Sequence, residues 1–174
     1  MAVVMPFASV TANDRPPVLQ LREILEARLS LMPSVARYKW HHSIPVEDLE
    51  RETLILAATV EQAKALGLTE SAAKRLVSAQ ITAAKQIQRR LITIWQQSDV
   101  DLRTLPPLQS LSDDIRPVIS GLTVELLTVT SALAQALKEC AAHEDLQANR
   151  LQMVTDDEWR TAVTGLKPEG LDCE

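Results

Sequence analysis

Residues Leu21 to Glu52 read LREILEARLSLMPSVARYKWHHSIPVEDLERE. Apolar residues in the first half of this segment recur every three or four positions, as the buried face of an amphipathic helix requires. We therefore predict a helix from Pro17 to about Trp40. Pro33 lies inside it and predicts a kink or a break, because proline removes a backbone hydrogen bond and clashes with the preceding turn.

The next two helices are marked by signals at their ends. Pro45 and the acidic segment Val46-Glu47-Asp48 suit the first turn of a second helix, where proline is tolerated and acids favour the positive end of the helix dipole. Gly67 is expected to end this helix as its C′ residue. Thr69 can cap a third helix that runs to about Gln97.

The C-terminal half is predicted to hold a loop and three more helices. Residues 98–110, with two adjacent prolines, form the loop. A fourth long helix begins near Ser112, carries Pro117 in an early turn and runs to about Ala142. Two shorter helices follow, over Asp145–Met153 and Asp156–Val163.

Length and composition agree with a helical protein. The 174 residues suit one domain with a sizeable core. Only 4 glycines and 3% aromatic residues favour helices over sheets, so we expect an all-α, single-domain bundle of about six helices with a kinked first helix. The net charge of −5 disfavours nucleic-acid partners. A membrane span is not expected either, because no apolar run reaches roughly 18 to 20 residues.

The first 12 residues are apolar and lack the basic start of a complete export signal. Val10-Thr11-Ala12 resembles the small-residue cleavage site of a secretory signal. We therefore expect residues 1–12 to be either a signal remnant or a disordered N-terminus. The helical domain is expected to span residues 13–174.

Two cysteines, Cys140 and Cys173, are either joined in a disulfide or present as two free thiols. An even count in a chain with an export-like N-terminus favours a disulfide, which would tie the C-terminal segment to the bundle. Closing a loop of this length stabilises a fold by about 4 kcal/mol in the chain-entropy description. A metal site is not expected, because His41, His42 and His143 follow no ligand pattern.

Charged side chains occur at positions where a bundle would bury them. Arg28 and Lys39 are 11 residues apart, about three helical turns, so they would share one face of a continuous helix. Asp48, Arg51 and Glu52 are neighbours on the second helix by their i, i+3 and i+4 spacing. By itself this trio is also explained as an exposed ion-pair cluster on a solvated face.

Polar residues of the third and fourth helices leave similar alternatives open. Gln80 and Gln88 fall on or beside the apolar stripe of the third helix, and either face a polar partner or reach water from its edge. Arg116 either pairs with the preceding Asp113 and Asp114 or joins the cations of the first two helices. If these cations converge, the pocket they form suits a small polyanion, because buried like charges need an anionic partner.

The segment from Leu21 to Glu52 resembles the all-α chorismate mutases, in particular their exported, periplasmic or secreted members. It has the family's spacing of an arginine, a lysine in a YKW context, Pro-Val, and Asp-x-x-Arg-Glu. The similarity extends to Gln88 and to Ile115-Arg116-Pro117-Val118, and the two cysteines resemble the disulfide of exported members. It implies conversion of chorismate to prephenate without a cofactor, a homodimer, and a periplasmic or secreted location.

The resemblance also implies a role for each matching residue. Arg28 binds a substrate carboxylate, and Lys39 contacts both a carboxylate and the ether oxygen. Arg51 helps to bind the enolpyruvyl carboxylate, while Asp48 and Glu52 face the ring hydroxyl. Gln88 donates a hydrogen bond to the ether oxygen, so Lys39 and Gln88 are the catalytic residues. Arg116 also binds the substrate and completes the site within one protomer. Ala84 is a further substrate-binding position, at which relatives carry a hydroxyl residue.

The residue types suit this chemistry, because an intramolecular rearrangement needs no nucleophile, metal or redox group. Three other functions stay open: an isochorismate-pyruvate lyase of the same fold, a non-catalytic helical protein that binds a small dicarboxylate, and a purely structural helical domain. Because Gln88 is a neutral donor at any ordinary pH, we expect activity without an acidic optimum.

Overall fold

The computed structural model describes residues 17–98, 108–147 and 150–173. The helices are α1 (Pro17–Ser30), α2 (Met32–His41), α3 (Leu49–Ala65), α4 (Glu70–Gln97), α5 (Arg116–Ala132), α6 (Cys140–Gln147) and α7 (Asp156–Thr164). A π-helical turn, Leu111–Ile115, precedes α5, and a 3-10 turn, Ala136–Lys138, precedes α6. Because α1 and α2 are the halves of one kinked helix, the predicted all-α bundle of six helices is confirmed for the described residues.

The break in the first helix lies where Pro33 predicts it. Leu31, between α1 and α2, keeps a right-handed helical backbone with φ of −80° and ψ of −17°. Its amide donates to the Arg28 carbonyl at 3.3 Å, and its carbonyl accepts from the Val35 amide at 3.2 Å. Pro33 thus stands in the first turn of α2, where its missing N–H would have had no intrahelical partner.

The start of α3 differs from the prediction. Residues 45–48 are not helical, and Asp48 is the N-cap. Its side chain accepts a hydrogen bond from the Arg51 amide at 3.1 Å, and the Glu52 carboxylate accepts one from the Asp48 amide at 3.3 Å. These two bonds satisfy backbone amides that would otherwise lack a partner, so the helix begins after Asp48 rather than at Pro45.

The predicted boundary between α3 and α4 is confirmed. Gly67 is the C′ residue of α3 with φ of +81°, a left-handed conformation that glycine adopts without strain. Its amide and that of the next residue donate to the carbonyls of Lys64 and Ala63, both at 3.0 Å, as in a Schellman motif. Thr69 caps α4, which ends at Gln97 as predicted.

Two predicted helix ranges in the C-terminal half are wrong. Helix α5 ends at Ala132 rather than near Ala142, and α6 spans Cys140–Gln147 rather than Asp145–Met153. The chain turns between α5 and α6, which buries Leu137 in the core. No proline or glycine marks this turn, so tertiary packing rather than local propensity decides its position. The last predicted helix, α7, is confirmed to within one residue.

Helix α4 is the longest helix, and it packs against α2, α3 and α7. It approaches the end of α7 so closely that a Cβ added at Gly165 would lie 2.6 Å from the Ala79 Cβ. Trp159 of α7 is fully buried in the same part of the core. A disulfide between Cys140 and Cys173, with Cα atoms 5.5 Å apart, confirms the predicted link between the C-terminal segment and the bundle.

Three sequence-based expectations concern membranes, metals and the N-terminus. None of the helices in the described ranges is both long and apolar enough to cross a membrane. Among the same residues, no three His, Cys, Asp or Glu side chains are grouped as metal ligands would be. The N-terminal segment 1–12 and the centre of the predicted loop, residues 99–107, lie outside the described residues.

Candidate active site

A cavity of about 450 Å³ lies between α1, α2, α3, α4 and α5. Five lysine or arginine side chains and two carboxylates line it, so it carries a positive charge in a chain of net charge −5. A cavity of this size, with a few polar groups in apolar walls, suits a small anionic ligand. The charged lining residues are Arg28, Lys39, Asp48, Arg51, Glu52, Lys85 and Arg116.

Arg28 lies in the last turn of α1 and is held by α5. Its Nη1 donates to the Ile119 carbonyl at 2.9 Å and to the Thr123 hydroxyl at 2.5 Å. Burial lowers the pKa of Arg28 to about 10, so the guanidinium is still charged at neutral pH. Its Nε is buried and has no hydrogen-bond partner in the part of the chain that the structure describes. Both acceptors of Nη1 are neutral, and a guanidinium held by neutral groups keeps its positive charge available to an anion.

Lys39 lies in the last turn of α2, at the cavity wall. Its Nζ donates to the Val46 carbonyl at 2.8 Å. Burial lowers the pKa of Lys39 below the usual lysine value, Asp48 opposes this effect, and Arg116 adds to it. Among the residues that the structure describes, no carboxylate lies within ion-pair distance of this amine. Lys39 therefore faces the cavity as a cation bound to a neutral oxygen.

The start of α3 brings three charged side chains to the cavity. Asp48 caps the helix, and Glu52 Oε2 accepts a hydrogen bond from Lys85 Nζ at 2.7 Å. Burial lowers the pKa of Arg51, Arg116 lowers it further, and Asp48 raises it. All three side chains are partly buried, so the exposed ion-pair cluster that the sequence left open is not what forms.

The two glutamines of α4 are buried, with Gln80 3% and Gln88 5% exposed, so neither reaches water from the edge of the stripe. Gln80 Nε2 donates to the Ala162 carbonyl of α7 at 2.9 Å, which is a packing role. Gln88 Nε2 has a 3.7 Å contact with Met32 Sδ, and its Oε1 has no hydrogen-bond partner among the described residues. An amide paired this weakly in a cavity wall can donate to a ligand atom. Ala84, one turn earlier, presents only a methyl group there.

Arg116 begins α5 and lines the cavity. The acidic residues before it bond to Ser110 instead: the Ser110 hydroxyl donates to Asp113 at 3.0 Å and the Ser110 amide to Asp114 at 2.8 Å. Within the described part of the chain, no carboxylate is close enough to pair with Arg116. The structure thus brings every site residue named from the sequence to one cavity: Arg28, Lys39, Asp48, Arg51, Glu52, Ala84, Gln88 and Arg116.

Sequence reasoning missed two residues that act on this site, Lys85 and Thr123. Lys85 follows Ala84 and is three positions before Gln88, so the spacing within α4 could have indicated it. Thr123 is 95 positions from Arg28 in the chain, and no local pattern connects the two.

A family model described as "Chorismate mutase type II" matches residues 19–89. The secreted chorismate mutase of Yersinia pestis is 34% identical over 125 residues, which are 72% of this chain and 63% of that relative. The monofunctional chorismate mutase of Enterobacter agglomerans is 33% identical over 125 residues, 68% of this chain and 67% of the relative. The chain therefore spans less than two thirds of the length of the first of these relatives and about two thirds of the second.

Solved structures extend the likeness over most of the chain. The crystal structure of chorismate mutase from Burkholderia phymatum matches with a TM-score of 0.78 and 25% identity, covering 88% of this chain and 97% of that one. The secreted chorismate mutase from Yersinia pestis matches with a TM-score of 0.70 and 28% identity, covering 84% and 94%. With the identities to the curated relatives, these matches show that the chain belongs to the type II chorismate mutase family.

Proposed function

We propose that this protein is a chorismate mutase, which converts chorismate to prephenate by an intramolecular [3,3] rearrangement. The observation that carries the proposal is that Arg28, Lys39 and Gln88 line one cavity with two further arginines. Chorismate has two carboxylates, and its rearrangement breaks an ether C–O bond while a C–C bond forms. A site for this reaction must bind two anionic groups and donate to one oxygen, which these residue types do.

Substrate binding is assigned to the arginines and the two carboxylates. Arg28, Arg51 and Arg116 bind the substrate carboxylates, since the guanidinium fork matches the planar geometry of a carboxylate. Holding both carboxylates selects the reactive chair of a flexible molecule, which removes much of the entropic barrier. Asp48 and Glu52 accept hydrogen bonds from the ring hydroxyl and set the orientation of the ring.

Catalysis is assigned to Lys39 and Gln88. Negative charge develops on the ether oxygen as the C–O bond breaks, and donors already in place stabilise that charge more than they stabilise the ground state. Lys39 supplies a partly desolvated cation, and Gln88 supplies an amide N–H whose acceptor within the described residues is the weakly accepting sulfur of Met32. Ala84 offers no hydroxyl to the substrate, so we expect weaker binding rather than a slower rearrangement.

The test compares the wild type with Lys39→Ala in an assay of chorismate consumption. We expect the wild type to form prephenate, identified by acid conversion to phenylpyruvate, and the variant to lose about 100- to 1,000-fold in kcat. Lys74→Ala is the matched control, since Lys74 lies on α4 with half of its side chain exposed and forms its ion pair with Glu70. Circular dichroism establishes that all three proteins are folded.

The outcomes separate the alternatives. A folded wild type that does not consume chorismate contradicts the proposal, and saturable chorismate binding without turnover then indicates a binding protein. Consumption of isochorismate with release of pyruvate indicates the lyase.

The disulfide and the secreted relative from Yersinia pestis support export from the cytoplasm, because disulfides persist in oxidising compartments. We propose that the protein is periplasmic or secreted and that it forms a homodimer. Fractionation of the native host locates it, and sedimentation equilibrium of the purified protein measures its mass. Retention in the cytoplasm or a monomeric mass would contradict the corresponding proposal.

A further inference from the structure

Both carboxylate oxygens of Glu52 accept hydrogen bonds from groups other than Lys39. Oε1 accepts from the Asp48 amide at 3.3 Å, and Oε2 accepts from Lys85 Nζ at 2.7 Å. The side chains of Glu52 and Lys85 are 22% and 19% exposed, so this ion pair is more shielded from water than a surface pair. The pair joins α3 to α4 within the cavity wall.

Within the described residues, Lys39 forms no ion pair with Glu52, although both side chains line the cavity. Its Nζ donates to the neutral Val46 carbonyl, although the charge of Glu52 is near enough to raise the pKa of Lys39. A carboxylate in a poorly solvated cavity pairs with the nearest available cation. Because Lys39 and Glu52 line the same cavity, loss of Lys85 would leave Lys39 as a cation with which Glu52 could pair.

We propose that Lys85 is a positioning residue that holds Glu52 on the α4 side of the cavity and so leaves the Lys39 ammonium free for the substrate. An ion pair between Glu52 and Lys39 would compete with the substrate for the catalytic cation. It would also remove the fixed orientation of the carboxylate that faces the ring hydroxyl. This inference rests on the proposed function, and it concerns a residue that does not itself touch the reacting atoms.

The electrostatic surroundings of Lys39 make the effect measurable. Asp48 and Glu52 raise the pKa of Lys39, while burial, Arg116 and Arg51 lower it. Arg28 on α1 and Lys85 on α4 also line the cavity. A direct ion pair with Glu52 would stabilise the protonated amine, so loss of Lys85 is expected to raise the pKa of Lys39.

The experiment uses Lys85→Met, Lys85→Arg, Glu52→Gln and the double variant of Glu52→Gln with Lys85→Met. Two quantities are measured for each: kcat and KM for chorismate as a function of pH, and the pKa of Lys39 by NMR in the protein without substrate. Lys74→Met is the control for loss of a lysine from α4, because Lys74 is about half exposed and is not among the residues that line the cavity.

We expect Lys85→Met to raise KM about tenfold, to move the alkaline limb of kcat/KM to higher pH, and to raise the pKa of Lys39. Lys85→Arg, which keeps the cation, should restore KM to within about threefold of the wild type. In the Glu52→Gln background, Lys85→Met should change KM less than twofold, because the carboxylate through which Lys85 acts is gone.

Three results would overturn the inference. The first is an unchanged KM and alkaline limb in Lys85→Met, and the second is a rise in KM on Lys85→Met that is equally large in the Glu52→Gln background. The third is an unchanged pKa of Lys39 in Lys85→Met. The NMR titration needs no turnover. If the wild type is inactive, the proposed function fails, and the titration still decides whether Lys85 keeps Glu52 from Lys39.

Discussion

The Arg28 guanidinium of α1 donates to the Thr123 hydroxyl of α5 at 2.5 Å. The same nitrogen donates to the Ile119 carbonyl at 2.9 Å, and the Thr123 hydroxyl donates to that carbonyl at 2.7 Å. These three bonds form a closed triangle that fixes the arginine against α5. The helix that contributes Arg116 to the cavity therefore also orients Arg28, so the two cations are positioned by one element.

Loss of the Thr123 hydroxyl is expected to weaken substrate binding. Thr123→Val removes an acceptor from a charged donor, an interaction of about 1.5 to 3 kcal/mol. Because the Ile119 carbonyl still holds Arg28, we expect KM to rise about tenfold with kcat changed less than threefold. The matched control is Thr128→Val, about one turn and a half later on α5, where the exposed hydroxyl donates to the Val124 carbonyl of its own helix. Equal KM values for the two variants would contradict the role of Thr123.

The pH profile is expected to be flat on the acid side and to fall on the alkaline side. Gln88 does not titrate, so kcat should not rise as the pH falls. Burial lowers the pKa of Lys39 below its usual value of 10.5. Since the catalytic form is the cation, activity is lost as the pH rises through this lowered pKa. Measurement of kcat from about pH 4 to about pH 10 checks both limbs, and a sharp rise below about pH 5 would count against the role of Gln88.

The ion pair between Arg90 and Glu158 is expected to stabilise the contact of α4 with α7. Arg90 donates to both Glu158 oxygens, at 2.7 and 2.9 Å, and the Thr155 amide donates to Oε2 at 2.8 Å. Glu158→Gln should lower the free energy of unfolding at pH 7 by about 2 kcal/mol, measured in urea. Asp157→Asn, which removes an exposed partner of Arg160, should change it by less than about 0.5 kcal/mol.

The contribution of Glu158 depends on pH with a definite sign. Burial raises the pKa of Glu158, but the hydrogen bonds from Arg90 and Thr155 outweigh it and hold the pKa below the usual value of 4.5. A carboxyl group with a lowered folded-state pKa stabilises the protein above its unfolded-state pKa, and this stabilisation is lost as the pH falls through the folded-state value. The stability difference between wild type and Glu158→Gln should therefore shrink below about pH 4.5. A difference that is constant between pH 7 and pH 3 would contradict this account.

Gly165 is expected to tolerate no side chain. An added Cβ would lie 2.6 Å from the Ala79 Cβ and 2.9 Å from the Leu76 Cα, so Gly165→Ala should destabilise the fold by about 1 to 3 kcal/mol. Gly121, inside α5, has nothing within 4 Å of its added Cβ. Gly121→Ala should be neutral or stabilising by up to about 1 kcal/mol, because alanine favours a helix interior. Thermal unfolding of both variants measures the contrast, and similar melting temperatures would argue against close packing at Gly165.

Local chemistry in the sequence was enough to predict much of the fold. Pro33, Gly67 and Thr69 act on the few residues around them, so the break and the helix ends that they mark are where the sequence predicts. The start of α3 was misplaced because two local signals compete there. Pro45 can begin a helix, but the capping hydrogen bond of Asp48 is the stronger signal, and it lies three residues later.

The residues of the candidate site could be predicted from the sequence where they lie on one helix or close together in the chain. Lys39, Asp48, Arg51 and Glu52 fall within 14 positions of one another, and Gln88 lies on the same helix as Ala84. The spacing could not decide whether the trio at the start of α3 faces water or the cavity. That choice depends on α5 and α4, which bury the trio and supply Lys85.

What the sequence determined by itself is therefore the set of helices, most of their ends, and the residue types of a cationic site. The tertiary structure alone decided that α5 stops at Ala132, that Arg28 is held by Thr123, and that Glu52 pairs with Lys85. The physical reason is the separation along the chain over which each interaction acts. Caps and proline breaks act over one helical turn, whereas burial and pairing of a side chain depend on elements 33 to 95 positions away, which come together only when the bundle folds.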